Sequence, residues 1–163
     1  MGETVESIRT YGVLVPAIAR PLPDGNFELI SGHRRKYACE LAGKKKMPVI
    51  IRDLDRDAAT IIMIDSNLQR ENILPSERAA AYKIKMEAIK RSAGRPTKIS
   101  PQVAANFRSD DEVAKGEDVS GDTIRRYIRL TELQLELQQM VDEKKIALTP
   151  AVEISYLKPD EQR

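Results

Sequence analysis

The chain has 163 residues, a formal net charge of +2, 32% charged residues and 4% aromatic residues, with no Trp. So few aromatics argue against a single-strand binder that stacks bases on rings, and no overall basic field marks a nucleic-acid partner, so local clusters must carry any such reading. One Cys and one His leave no internal disulfide and little basis for structural zinc, and no apolar run nears the roughly 20 residues that span a bilayer.

No signal-peptide pattern opens the chain, so the class reading is a cytoplasmic, mostly helical, soluble protein. Val5 and Ile8 predict a short opening helix, with Gly12 placed to end it. Two strand-like runs follow, 17–20 and 27–30, joined through the turn signal Pro23-Asp24-Gly25-Asn26. A helix is predicted from His33 to Ala42, with Tyr37, Ala38, Leu41 and Ala42 on its inner face and Gly43 as its stop. Cys39, inside that helix, reads as a small buried residue, and Lys44-Lys45-Lys46 as a solvated loop. Val49-Ile50-Ile51 reads as a buried strand entered from Pro48.

Beyond residue 55 the pattern is helical. Asp55 or Asp57 starts a helix carrying Ala58, Ile61, Ile62 and Leu68, and Pro75-Ser76-Glu77 starts another with Ala79, Tyr82, Met86 and Ile89 as its stripe. Gly94 to Lys98 reads as a linker, and shorter helices are expected near 100–108, 110–116, 121–131, 134–144 and 150–157.

Two clusters point to chemistry. The run 27–30 leads directly into Ser31-Gly32-His33-Arg34-Arg35, which opens a helix, so free backbone N–H groups and the positive dipole end converge where Gly32 lets a phosphate approach. Arg34 or Arg35 would add bidentate donors, although a solvated arginine pair at a helix start reads equally well from these residues alone. The polar run Asn67-Leu68-Gln69-Arg70-Glu71-Asn72 closes an otherwise apolar helix and suits a magnesium-phosphate or base contact, or else a polar last turn with a local Arg–Glu pair.

Gly12-Val13-Leu14-Val15-Pro16-Ala17-Ile18, Gly32-His33-Arg34-Arg35-Lys36-Tyr37-Ala38 and Asn67-Leu68-Gln69-Arg70-Glu71 stand in the order and rough spacing of three boxes of the ParB partition-protein family. The chain resembles that family over nearly its whole length, the second run matching its GERR box and the third its ENLQRE box. The resemblance implies a CTP pocket with magnesium, in which nucleotide state opens or closes a dimeric clamp around DNA. Gly32, His33, Arg34 and Arg35, with Asn67, Gln69, Arg70 and Glu71, would then form the nucleotide site. Asn67 would help place the metal, and Arg70 would meet phosphate or the partner subunit. The family's acidic positions are His33 and Ser66 here, and its glutamine before the first-box proline is Val15. Neither His33 nor Ser66 supplies the carboxylate a hard cation favours, although Asp65 stands beside Ser66, so the resemblance implies at most a weak CTPase.

A helix-turn-helix is expected at about 110–131: a first helix at 110–115, a turn at Gly116 to Val119, and a second helix capped by Ser120 or Asp122. Val113, Val119, Ile124 and Tyr127 or Ile128 would lock the pair. Ser120, Thr123, Arg125, Arg126 and Arg129 are then the candidate DNA contacts, the arginines on an outward face that reaches base edges or phosphates. An ordinary helical hairpin with exposed arginines fits the same pattern, but residues 124–130 also resemble the family's recognition-helix tail. Lys83, Lys85, Lys90, Arg91, Arg95 and Lys98 add a sequence-blind phosphate term in this reading.

The expected fold is α+β: a small mixed α/β unit of the ParB and sulfiredoxin-like kind at 1–72, then an all-helical domain with the helix-turn-helix at 73–163. Double-stranded DNA, a second copy of the chain and a ParA-type ATPase are the partners implied, with no membrane and a nucleoid-associated cytoplasmic location. The family dimerises through a further C-terminal segment, and nothing after Pro159 reads as one, so a fragment is expected. A DNA-binding accessory protein of a mobile element that has lost hydrolysis is the alternative, favoured by His33 and Ser66. A sulfiredoxin-like phosphoryl-transfer enzyme fits less well, because Ser31 and Gly32 occupy the turn where that class needs its cysteine.

Overall fold

The structure, a computed structural model, describes residues 2–93, 109–114 and 119–162. The expected linker at 94–98, the helix near 100–108, the turn residues 116–118, and Lys115, Arg95 and Lys98 lie outside the described residues. The chain divides into two compact units, Met1–Ser66 and Asn67–Arg163.

The first unit is built from α1 (Gly2–Tyr11), β1 (Ala17–Pro21), β2 (Phe27–Ser31), α2 (His33–Leu41), β3 (Val49–Ile51) and most of α3 (Arg56–Leu68). The strands lie in the order β2-β1-β3, with β1 antiparallel to β2 and parallel to β3. Asp24 organises the β1–β2 turn. Its carboxylate accepts from the backbone N–H of Asn26 at 3.0 Å and from the Asn26 side-chain amide at 2.9 Å, an Asx-type arrangement that Gly25, at φ 82°, completes. The core on the α2 side gathers Ile8, Ala38 and Cys39, with Val5, Val13, Ala42 and Met47 against them. The buried Cys39 is as expected. Tyr37 and Leu41 are not part of that core: they are 52% and 48% exposed, because they stand four apart on one face of α2 while the helix packs through the other side, which carries Ala38, Cys39 and Ala42. The strand at 49–51 is also corrected, being exposed along its whole length because it forms the sheet edge.

Asp55 settles the start of α3, its Oδ1 accepting from Ala58 N at 2.8 Å. The helix buries Ala59, Ile64 and Leu68, whereas Ile61 and Ile62 are half-buried.

The second unit contains α4 (Pro75–Ala93), α5 (Ser109–Ala114), α6 (Gly121–Arg129), a 3-10 turn (Leu130–Glu132), α7 (Leu135–Asp142) and α8 (Leu148–Ile154). Pro75 opens α4, where its missing N–H has no helical partner to lose, and Glu77 Oε2 accepts from Leu74 N at 3.4 Å. Ser76 donates to Asp142 through its backbone N–H at 2.9 Å and through its hydroxyl, fastening the start of α4 to the end of α7. Ala79, Leu130, Leu133, Val141, Ala151 and Val152 form the core. Gln162 closes the unit: its carbonyl accepts from Gln134 N at 3.0 Å and its amide donates to Leu157 O at 3.0 Å.

Candidate functional site

Gly32 stands at φ 110°, in the left-handed region, as the residue before α2. A Cβ there would lie 2.7 Å from Ala17 Cβ, so only glycine lets the turn sit directly on β1. No side chain caps this end of α2, which leaves its first backbone N–H groups available to an acceptor, and His33 and Arg34 are exposed beside it.

Two contacts fasten neighbouring segments to this turn. Arg35 Nη1 donates to Val15 O at 2.5 Å and Pro16 O at 2.7 Å, which pins the segment entering β1 to the first turn of α2. Ser31 and Ser66 share a hydrogen bond of 2.9 Å, which holds the last turn of α3 against the end of β2. A second-box residue, Arg35, therefore touches the first box, and the residues immediately before the second and third boxes, Ser31 and Ser66, touch each other. Asn67 follows Ser66 in α3, Arg70 N donates to Asn67 O at 3.2 Å as the helix ends, and Gln69, Arg70 and Glu71 are exposed. Part of Arg35 is committed to two carbonyls, so Arg34 is the guanidinium less engaged by the fold. The Ser31–Ser66 pair was not singled out from sequence; the signal available was Ser31 immediately before Gly32.

The second cluster lies on α5 and α6. Val113 and Ile124 are fully buried between these helices, and Tyr127 packs edge-on against Tyr82 of α4 with ring centroids 5.9 Å apart. Gly121 is required by this packing, since a Cβ there would meet Asp111 Oδ1 at 2.6 Å and the α5 backbone at 3.3 Å. Ser120 caps α6, its Oγ accepting from Thr123 N at 3.2 Å.

The three arginines of α6 do not share one outward face. Arg125 is half exposed and pairs through Nε with Asp110 Oδ2 at 2.5 Å. Arg126 donates to Thr149 Oγ1 at 2.6 Å. Arg129 is turned inward: it donates to Ser155 Oγ at 3.2 Å and Ser155 O at 2.5 Å, and its guanidinium stacks 4.1 Å from the Tyr156 ring centroid. The expectation of an outward Arg129 is corrected, because α8 packs on that side of α6. Lys85 is corrected likewise. It is 3% exposed and donates to Val113 O at 3.2 Å, so it braces α5 and is no surface phosphate contact. Lys83 meets Thr131 and Glu132, Arg91 pairs with Glu87 at 3.9 Å, and Lys90 is exposed.

Residues 1–68 match the ParB N-terminal domain family. Over 145 residues the chain is 32% identical to a probable chromosome-partitioning protein ParB of Treponema pallidum, covering 89% of this chain and 40% of the relative. Over 161 residues it is 29% identical to the chromosome-partitioning protein Spo0J of Thermus thermophilus, covering 98% of this chain and 52% of the relative. The crystal structure of C-terminally truncated chromosome-partitioning protein ParB from Caulobacter crescentus, complexed to the centromeric parS site, aligns with a TM-score of 0.66 and 26% identity over 97% of this chain and 75% of that one. Residues 1–68 thus carry the ParB N-terminal domain, and over nearly its whole length the chain is similar to ParB proteins. It spans about half or less of the length of these two full relatives.

Proposed function

We propose that this chain is the nucleotide- and DNA-binding part of a partition protein, reading a specific duplex through α6 and coupling that grip to CTP bound at the Gly32 turn. The observation that carries the nucleotide half is the pair of fastenings around Gly32, Arg35 to Val15 and Pro16, and Ser31 to Ser66, which hold the first box and the last turn of the first unit's α3 segment beside an uncapped helix start. For the DNA half, support comes from the α5–α6 packing and from likeness to a ParB crystallised on its parS site.

In this reading Gly32, His33 and Arg34 face the phosphates, and Arg35 shapes the turn while its remaining N–H groups face them too. Asn67, Gln69, Arg70 and Glu71 are the further nucleotide contacts that the family resemblance implies. Among the described residues no group of three His, Cys, Asp or Glu side chains is placed to hold a metal. The donors therefore suit a magnesium ion carried mainly by nucleotide phosphates, with the Asn67 carbonyl as its protein contact. With His33 and Ser66 at the acidic positions, and the Ser66 hydroxyl engaged by Ser31, the site binds nucleotide and hydrolyses it weakly or not at all. Ser120, Thr123 and Arg125 are the base-facing residues of α6, with Arg126 at its flank and Arg129 as a brace. Two copies close around DNA in this reading, a ParA-type ATPase acts on the assembly, and the protein works in the cytoplasm on the nucleoid. No helix among the described residues is long and apolar enough to cross a membrane.

Titration calorimetry with CTP, ATP, GTP and UTP in the presence of magnesium tests the nucleotide half. CTP alone should bind measurably, and Arg34→Ala should weaken it by about tenfold or more through loss of a charge-assisted contact. Equal binding of all four nucleotides, or none, would remove the coupling from the proposal.

A further inference from the structure

Gly121 and Arg125 stand four apart, about one turn from each other on the same face of α6. Gly121 lets that face sit close on α5, since a Cβ there would lie 3.3 Å from the Asp110 carbonyl carbon and from the Asp111 nitrogen. One turn on, the Asp110 carboxylate, 11% exposed, lies 2.5 Å from Arg125 Nε. Asp110 Oδ2 has no aligned hydrogen-bond donor among the described residues, so the charge of Arg125 is what compensates it. A buried carboxylate that loses its cation is costly, and this holds the arginine where it is.

An ion pair at Nε leaves the terminal Nη1 and Nη2 groups of Arg125 to another partner, on a side chain that is half exposed. The other two arginines of α6 are engaged at that end: Nη2 of Arg126 donates to Thr149 Oγ1, and Nη2 of Arg129 to Ser155 O. Two parallel N–H donors on an outward guanidinium match the O6 and N7 acceptors of guanine in a major groove.

We propose that Asp110 is a positioning residue for sequence recognition, holding Arg125 by Nε so that its terminal nitrogens reach one guanine in each half-site. This rests on the reading of α6 as the helix that reads DNA. The carboxylate acts in two ways. It fixes a long side chain before DNA arrives, so less rotamer freedom is lost on binding. It also offsets the Arg125 charge, so this arginine adds little to the sequence-blind attraction for phosphate. Both effects raise the ratio of specific to non-specific affinity.

The test uses the full chain, the duplex enriched from a random pool by the unaltered chain, and a scrambled duplex of the same composition. Asp110→Asn keeps the shape of the side chain and removes its charge. The ratio of selected to scrambled affinity should fall by about threefold to tenfold, the cost of ordering one long side chain. The scrambled duplex should bind more tightly, with a salt slope steeper by about one. A merely structural role would instead lower both affinities together. In the Arg125→Ala background the same change should leave the ratio within about twofold. Selection repeated with Asp110→Asn should relax one guanine in each half-site. Asp110→Glu keeps the charge and moves the anchor by one methylene, so it should spare the scrambled duplex and still lower the ratio. That variant decides the matter if the asparagine form fails to fold. An unchanged ratio, an equal loss on both duplexes, or a full effect in the Arg125→Ala background would each overturn the proposal. Failure of the unaltered chain to enrich any duplex would remove α6 as the reading helix, and the role of Asp110 with it.

Discussion

The hydroxyls of Ser31 and Ser66 lie 2.9 Å apart, joining the end of β2 to the last turn of α3 where the chain enters α2. Ser31 is 9% exposed, so removing its partner strands a buried polar group. Ser66→Ala should destabilise the first unit by about 1–2 kcal/mol in urea unfolding, and Ser66→Thr should recover most of that loss. An unchanged midpoint for Ser66→Ala would show that this bond contributes nothing.

Gly32→Ala should be the more damaging change. It forces a side chain into φ 110° and places Cβ 2.7 Å from Ala17 Cβ. A loss of about 1–3 kcal/mol is expected from the backbone conformation alone. CTP affinity should fall as well, because the turn can relax only by moving off β1. A variant with parental thermal stability and parental CTP binding would contradict the role given to this glycine.

The arginines of α6 should separate by phenotype. Arg125→Ala should weaken a specific duplex by about 1–3 kcal/mol while leaving non-specific binding nearly unchanged. Arg129→Ala should instead lower the unfolding midpoint, since its guanidinium ties α6 to Ser155 and Tyr156. Competition binding on specific and random duplexes, run beside thermal unfolding, distinguishes the two. Equal effects on both duplexes would make Arg125 a phosphate contact.

The Asp24 carboxyl is held below its ordinary range by the Asn26 side-chain amide first and the Asn26 backbone N–H second. A depressed carboxylate stabilises the turn fully above the ordinary aspartate range, and that stabilisation disappears as pH falls through the lowered folded value. Asn26→Ala should move the Asp24 titration upward toward the ordinary value, as read by carboxyl NMR. A titration that stays put would assign the shift to some other group.

Much of the first unit was legible because its signals are local. Gly12, Gly25, Gly32 and Gly43 all adopt positive φ, at or beside the turn and helix ends where the pattern placed breaks. The strand at 49–51 was legible in position but not in burial, since a run of three apolar residues reads the same at a sheet's centre and at its edge. Which face of a helix meets the core depends on neighbours distant in sequence. Lys85 illustrates this: a lysine within an amphipathic pattern reads as solvated, yet the carbonyl of Val113 gives it a buried partner. The inward turn of Arg129 was equally hidden, because it depends on α8, whose approach to α6 has no sequence signature. Ser31 and Ser66 are 35 positions apart, and nothing in either residue announces the other.

The most direct test of coupled nucleotide and DNA binding is selection of bound duplexes from a genomic fragment pool at physiological salt, with and without CTP, using two copies of the chain tethered together. Coupling through the Gly32 turn predicts recovery of an inverted repeat and a change in its retention when CTP is added. Recovery of no preferred sequence, or of one whose retention ignores CTP, would contradict it.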